Sequence, residues 1–374
     1  MTTIAALAMA IWLYLLLAHG RFWQSGPELA PTRPTVAPAV TVVMPARDEA
    51  AVIGTTLPTL QRQDYAGPLK IVLVDDASTD GTGTIARHLA KPHQPQLEVL
   101  DGRPRPPGWS GKLWAVAQGV AEAGSAEFIL LTDADITHDP LHVATLVAQA
   151  EQHDLDLVSE MVTLACDAPA ERSLVPAFVY FFQLLYPFAW VNDPLRANAA
   201  AAGGTVLIRR RALQRIGGIE AVRGALIDDV ALAAAVKRGG RIWLGHSGLA
   251  RSIRTYPNAA DIWRMIVRTA YVQLGFSPLL LAGTVLGMAL TFLVPPFAAI
   301  FGHGLSRWFG WIAWGGMAAS YQPTLHRYGR SILRAPLLPA VAAFYVAATI
   351  GSAVNHHRGR GVAWKGRAYQ GLGA

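Results

Sequence analysis

Short apolar runs alternate with helix-period segments through most of the chain, and longer apolar runs sit at both ends. Val40–Met44, Leu69–Val74, Leu97–Leu100 and Phe128–Thr132 are too short for helices and show little alternation. Such runs suit strands buried on both faces. Between them, Ala50–Gln63, a segment from the Ser78–Thr82 turn to about Ala90, and Leu113–Ala123 read as helices. Ser78, Thr79 and Asp80 supply caps, and Gly81 permits the turn. Strands alternating with helices predict an α/β fold around a mostly parallel sheet, with ligands at the carboxyl ends of the strands. Asp156–Leu164, the segment after Gly203-Gly204, and Arg241–Leu244 extend the strand series. A helix from Ile227 to about Lys237 stops at Gly239-Gly240.

At the ends, Ile4–Ala18 is almost wholly apolar, and Pro278–Phe301, Trp308–Leu325 and Pro336–Val354 each approach the roughly 20 residues that cross a bilayer. The first run lacks the basic start and small-residue cleavage site of a signal peptide and is read as an uncleaved anchor. The pattern divides the chain into an N-terminal transmembrane anchor (1–23), a proline-rich linker (24–39), an α/β domain (40–256), an amphipathic interface segment (257–276), C-terminal transmembrane helices (277–355) and a basic tail (356–374). Arg21 and Arg33 predict a cytoplasmic α/β domain in a multi-pass protein of the cell inner membrane. Arg327, Arg330 and Arg334 fit that side, but three full spans carry Arg358, Arg360, Lys365 and Arg367 to the other, so the number of full spans stays open. Leu174–Val191, aromatic and interrupted by Pro176, Gln183 and Pro187, reads as a core helix or as a segment lying on the membrane near an apolar acceptor.

Composition agrees. Apolar residues are 52% and charged residues 15%, against about a quarter charged in an average soluble domain, and mean hydropathy is +0.30. The formal charge is +7. The basic residues flank apolar runs instead of clustering with aromatics on one face, which speaks against a nucleic-acid partner. Cys166 is the single cysteine, which excludes an intrachain disulfide and a multi-cysteine metal site.

The polar residues that break the pattern fall at or just past strand ends: Arg47, Glu49, Asp75, Asp76, Lys112, Asp133 and Asp135. Asp133 and Asp135, at i and i+2, point to one side of an extended segment. Two acids so placed repel each other and resist burial. A hard divalent ion, Mg²⁺ or Mn²⁺, relieves both costs and binds phosphate oxygens; an acidic turn accounts for the same tripeptide. Lys112 is a point charge for phosphate or a surface lysine. Asp75 or Asp76 can accept from a base imide or a ribose hydroxyl, or cap the following helix. Asp228-Asp229 open a helix, where the dipole favours acids, and two neighbouring acids raise one pKa. No Gly-x-Gly-x-x-Gly follows the first strand, which disfavours a dinucleotide dehydrogenase.

In combination, Asp75-Asp76 after a strand, Ser78-x-Asp80-Gly81-Thr82, Gly111-Lys112 opening a helix, Asp133-Ala134-Asp135 and Asp228-Asp229 resemble the inverting family-2 glycosyltransferases of GT-A fold, over about residues 40–256. Pro45-Ala46-Arg47-Asp48-Glu49 is similar to that family's Pro-x-x-Asn-Glu loop, with Asp48 for Asn. Gly108–Ala115, Trp263–Leu274 and the tail Gly359-Arg360-Gly361-x-x-Trp364-Lys365-Gly366-Arg367-x-Tyr369 resemble the hopanoid-biosynthesis-associated membrane glycosyltransferases of the HpnB type. The resemblance implies a nucleotide-diphosphate sugar donor and a lipid acceptor, with a hopanoid the expected one. It implies nucleotide-sugar binding by Pro45, Arg47, Glu49, Asp75, Asp76, Lys112 and Asp133. A metal rests on Asp133 and Asp135, with Asp135 the direct ligand. Asp229 is the implied general base toward the acceptor hydroxyl; Asp228 stands where the family has Glu, so the choice within the pair stays open. Direct attack on the anomeric carbon then inverts it.

Processive relatives carry Gln-x-x-Arg-Trp near the membrane; Trp263–Thr269 departs from this, which implies a single transfer. Arg264 and Arg268 contact diphosphate or form a basic interfacial face. A processive polysaccharide synthase and a non-catalytic nucleotide-sugar-binding membrane protein are the rival readings. Products longer than one added sugar mark the first, and donor binding without turnover marks the second.

Overall fold

The computed structural model describes residues 1–90 and 95–359, and the backbone of 363–364 and 367–368. The apolar runs become β2 (Val40–Ala46), β3 (Leu69–Asp75), β4 (Gln96–Asp101) and β5 (Phe128–Thr132), joined in one sheet by β1 (Glu28–Leu29), β6 (Ile136–His138), β7 (Leu157–Thr163), β8 (Thr205–Arg209) and β9 (Ile242–Ser252). The order is β1-β9-β7-β8-β5-β2-β3-β4, with β6 paired to β9. β2 is buried at every position and lies parallel between β3 and β5. A strand covered on both faces reads as an apolar run without alternation. The chain adds β3 and β4 on one side of β2, then returns to place β5 on the other. Such a reversal leaves a crevice beyond the carboxyl ends of β2 and β5. β8 runs antiparallel to both β5 and β7.

In the α/β part the helices are α2 (Ala50–Gln61), α3 (Thr82–His88), α4 (Gly111–Ala121), α5 (His142–Gln152), α6 (Pro169–Leu185), α7 (Phe188–Asn192), α8 (Arg210–Arg215) and α9 (Asp228–Lys237), preceded by α1 (Thr2–Leu17). The sequence pattern does not announce β1, β6 or α5. The strands are two and three residues long, and α5 is buried nearly all round, so it lacks a polar face. Residues 24–39 do more than link. Leu29 is buried, β1 pairs with β9, and Thr32 N donates to Thr145 Oγ1 at 3.1 Å.

The C-terminal helices are α10 (Ala259–Gln273), α11 (Pro278–Met288), α12 (Val294–Phe301), α13 (Leu305–Arg327) and α14 (Leu338–His357). They pack with α1: α1 lies on α13, α12 on α13, and α10 on α14. Trp12 is buried, donates from Nε1 to Thr291 O at 2.7 Å, and stands edge-on to Phe292. Among the described residues, two helical stretches are long and apolar enough to cross a membrane, Pro278–Phe301 and Ile332–His357. The remaining apolar run, Trp308–Leu325, lies in α13 and is not among them. α13 has the length, but its buried face carries Ser306, Ser320, Tyr321 and Thr324. α1 is shorter, at 16 residues. Within Leu174–Val191, one face of α6 packs as core, burying Leu174, Val175, Val179 and Tyr180, and Tyr180 Oη bonds Ser320 Oγ of α13 at 2.8 Å. Arg327 pairs with Glu28 at 3.1 Å, which sets the α13–α14 connection against the α/β part. Of the tail motif, Arg360, Gly361, Lys365, Gly366 and Tyr369 lie outside the described residues.

α4 rests directly on the sheet. A Cβ on Gly119 would stand 2.4 Å from Val43 Cγ1 and 3.2 Å from Val74 Cγ2, whereas one on Gly54 meets nothing within 4 Å. Gly119→Ala is therefore expected to destabilise by about 1–3 kcal/mol through overpacking, and Gly54→Ala to be neutral or stabilising by up to about 1 kcal/mol. Thermal midpoints of the purified protein in detergent check this. Equal midpoints would contradict the close approach of α4 to β2.

Candidate active site

A cavity of about 930 Å³ opens past the ends of β2 and β5. Its lining gathers six carboxylates, Glu49, Asp133, Asp135, Asp228, Asp229 and Asp261, against four cations, Lys112, Arg254, Arg264 and Arg268. Eight of these ten groups are named from the sequence, Arg264 and Arg268 among them, and Pro45 joins them in the wall.

Of the two placements that the sequence allows for the acids at the end of β5, an extended segment or an acidic turn, the structure has the turn. The strand stops at Thr132 and the chain turns, with Ile136 N donating to Asp133 O at 3.3 Å. The two carboxylates are thus not aligned by an extended pleat; the turn presents both. Asp133 Oδ1 lies 2.9 Å from Lys112 Nζ, which is 3.3 Å from Asp228 Oδ2. Lys112 is the second residue of α4, whose cap is Ser110 Oγ accepting from Leu113 N at 3.3 Å. It is therefore no surface lysine. Burial would lower its pKa, but Asp133 and Asp228 hold it above the ordinary lysine value. Burial raises Asp133, with Asp135 and Asp228 adding to the rise and Lys112 opposing it.

Asp135 Oδ2 accepts from Ser252 Oγ at 2.7 Å and from Arg254 Nε at 3.2 Å, and Arg254 Nη2 reaches Glu49 Oε1 at 2.8 Å. Sequence reasoning misses Ser252 and Arg254 because it ends the last strand at Leu244, whereas β9 runs on to Ser252. The stretch after Leu244, with His246, Ser247 and Gly248, shows no apolar alternation that would extend it. Gly203 is a second omission. A Cβ there would sit 3.1 Å from Asp229 Oδ2 and 3.6 Å from Lys112 Nζ. Asp229 Oδ1 accepts from Val230 N at 2.8 Å. Burial and the neighbouring Asp228 push the Asp229 carboxyl up to about 7, against Lys112 and the N–H groups of Val230 and Gly203.

Arg47, Asp75 and Asp76 lie beside the cavity at the ends of β2 and β3 and are not in its wall. Asp75 Oδ1 accepts from Ser78 N at 3.0 Å, which shapes the turn before α3. Arg47 Nη1 lies 3.7 Å from Asp76 Oδ2 and donates to the Asp76 carbonyl. A smaller cavity of about 180 Å³, lined by His153, Lys237 and Trp243 among others, holds none of the candidate residues.

Among the described residues no three His, Cys, Asp or Glu side chains are arranged to hold a metal. Asp133 and Asp135 offer one or two carboxylates. That is the protein share of a Mg²⁺-like site whose other ligands are substrate phosphates and water. The excess of acids at the polar end fits such an ion.

Residues 41–217 match the family model described as Glycosyl transferase family 2. The chain carries a glycosyl transferase family 2 domain. The matched part of this glycosyltransferase domain holds Pro45 through Asp135 and stops short of Asp228, Asp229 and Arg254. The chain is 27% identical over 202 residues to 4,4'-diaponeurosporenoate glycosyltransferase of Staphylococcus aureus strain MRSA252, covering 53% of this chain and 51% of that relative. The protein of the same name from strain USA300 is 26% identical over 202 residues. The chain thus spans about half the length of the curated relatives it matches. Mannosyltransferase PcManGT from Pyrobaculum calidifontis, solved in complex with GDP-Man and Mn2+, aligns over 95% of this chain and 98% of its own at 21% identity and a TM-score of 0.55. This likeness concerns the fold, an α/β GT-A arrangement.

Ionising Asp229 costs the fold free energy that ionising it in the unfolded chain does not. The unfolded chain loses this proton near 3.8 and the folded protein near 7, so stability from this group falls as pH rises through that window. From about pH 5 to about pH 8, the thermal midpoint of the wild type is expected to fall further than that of Asp229→Asn. Parallel curves would refute the raised carboxyl.

Proposed function

We propose that this chain is a membrane-bound, inverting glycosyltransferase that moves one sugar from a nucleotide-diphosphate sugar to a hydroxyl group on a lipid. One observation carries the reading: a single cavity with two chemistries. From the acids and cations at the sheet it continues between apolar walls that include Phe178, Phe182, Met265, Val285, Met288 and Val346. Val285 and Met288 belong to one candidate membrane span and Val346 to the other. An apolar acceptor body can therefore reach the polar end without leaving an apolar phase. The volume is near the top of the roughly 300–1,000 Å³ of small-molecule sites, which suits a two-part occupant.

The family-2 domain, the names of the relatives, and the GDP-Man and Mn2+ held by PcManGT support the donor class and a divalent cation. Asp133 and Asp135 would hold Mg²⁺ or Mn²⁺, with Asp135 the direct ligand; the bound ion neutralises the leaving diphosphate. Lys112 adds a fixed positive charge. Asp75 and Asp76, with Pro45, Arg47 and Glu49, grip the nucleoside. The acceptor oxygen attacks the anomeric carbon opposite the leaving group. A new C–O bond forms, the C–O bond to diphosphate breaks, and Asp229 takes the hydroxyl proton. Asp228 keeps that proton's affinity high by its charge. The sequence resemblance points to a hopanoid as the acceptor and to the inner membrane as the location. The packing of Arg327 against the α/β part supports a cytoplasmic face for the site.

The test incubates the purified full chain with radiolabelled nucleotide-diphosphate sugars, Mn²⁺ and a membrane lipid extract. Asp229→Asn and Asp135→Asn are each expected to lower transfer by about 100-fold or more, and wild-type turnover to rise as pH climbs through about 7. Full transfer by both variants would sink the proposal. Donor binding with no transfer in the wild type would instead establish the non-catalytic reading.

A further inference from the structure

Directly beneath the Asp133–Asp135 turn runs a chain of buried polar groups that the transfer chemistry does not use. Thr132, His138, His142 and Glu160 are 2%, 5%, 0% and 0% exposed. Glu160 Oε1 bonds His142 Nε2 and accepts from Thr205 Oγ1 at 3.0 Å. His142 Nδ1 lies 2.9 Å from His138 Nδ1, and His138 Nε2 lies 3.2 Å from Thr132 Oγ1. Thr132 Oγ1 donates to Gly204 O at 3.0 Å. Among the described residues no other charged side chain is bonded to these four.

Counting hydrogens sets the direction. Thr132 has one hydroxyl hydrogen and places it on Gly204 O, so toward His138 it accepts. His138 Nε2 therefore carries a hydrogen and its Nδ1 is the acceptor of a neutral ring. His142 must then donate from Nδ1 to His138 and from Nε2 to Glu160, which makes it an imidazolium facing a carboxylate. In the reverse arrangement the Thr132 hydrogen turns to His138, both rings are neutral, and Gly204 O keeps the Asp133 N–H. The first is favoured because Thr132 Oγ1 lies closer to Gly204 O, at 3.0 Å, than to His138 Nε2, at 3.2 Å, and because it gives the buried Glu160 carboxylate a cationic partner. Burial and His142 hold His138 well below the ordinary histidine value. Burial would raise Glu160, but His142, Ser247 and Thr205 outweigh it and hold the carboxyl below the ordinary glutamate value.

The far end of the chain touches the site. Gly204 O also accepts from Asp133 N at 3.2 Å. Gly203, one residue earlier, lies against Asp229, where a Cβ would stand 3.1 Å from Oδ2. We propose that Glu160, His142, His138 and Thr132 are positioning residues: a one-way hydrogen-bond relay that fixes the Gly203–Gly204 backbone and, through it, Asp133 and Asp229. The inference rests on the sugar-transfer reading above.

Glu160→Gln removes the charge that keeps His142 doubly protonated. Thr132→Val removes the terminal hydroxyl, and Thr132→Ser restores it. In the full chain, with the donor and lipid extract of the transfer assay, Glu160→Gln and Thr132→Val are expected to lower kcat about 10-fold, with donor KM within about 2-fold and Thr132→Ser near wild type. Nitrogen-15 spectra of selectively labelled histidines need no turnover. In the wild type they are expected to show His142 protonated on both nitrogens and His138 as the Nε2–H tautomer; in Glu160→Gln both rings are neutral. A neutral His142 in the wild type, wild-type kcat in Glu160→Gln and Thr132→Val, or a Thr132→Ser as impaired as Thr132→Val overturns the relay. A wild type that transfers no sugar from any donor also ends the proposal. The histidine spectra then show whether the relay geometry failed or the sugar-transfer reading did.

Discussion

The ammonium of Lys112, shared between Asp133 and Asp228, ties the end of β5 to the start of α9. Without it the four aspartates of the polar end would face one another with no cation of opposite sign between the two pairs. Like charges in a partly buried site repel, and loss of one partner from a buried pair costs more than the pair contributes. The constraint reaches into the packing. To bring Lys112 to the crevice, α4 must lie close on β2 and β3, which is why Gly119 faces Val43 and Val74 with no room for a side chain. The same constraint keeps Gly203 beside Asp229 and Lys112.

Arg254 does for the other wall what Lys112 does for the centre. Its guanidinium joins Asp135 to Glu49 and so binds the end of β9 to the loop after β2. Two cations thus connect five elements, β2, α4, β5, α9 and β9, that are far apart in the chain. Beneath them, the Glu160–His142 pair is buried without solvent. Such a pair is weak evidence for stability, because desolvation offsets most of its attraction. The hydrogen bonds that run from it to Thr132 are better understood as orienting the backbone they end on.

The helical half supplies the other chemistry. α6 is the shared wall: one face bonds α13 through Tyr180, and Phe178 and Phe182 line the cavity. Because α10, α11 and α14 continue that wall, the cavity passes from charged to apolar lining within one enclosure. Neither the sheet nor the helices alone would form it.

The elements around β2–β5 and the acids at their ends were legible in the sequence, because a strand buried on both faces must be apolar throughout and a polar residue there can survive only past the strand end. The family-2 motifs stand out for the same reason. Local pattern says nothing about direction or partner, so it was silent on the antiparallel β8, on β9 beyond Leu244 and on Arg254. It showed α13 as an apolar run near span length because apolar content is visible, whereas the polar face that Ser320 turns to α6 shows only once the helices meet. Asp133-Ala134-Asp135 could be read as two acids on an extended segment or as an acidic turn, and local pattern could not choose between them. Sequence by itself determined which groups could do the chemistry, since that follows from residue type and local period. Tertiary structure decided which of them meet, because ion pairs such as Lys112–Asp228 and Arg254–Glu49 depend on distance in space between residues that have no local relation.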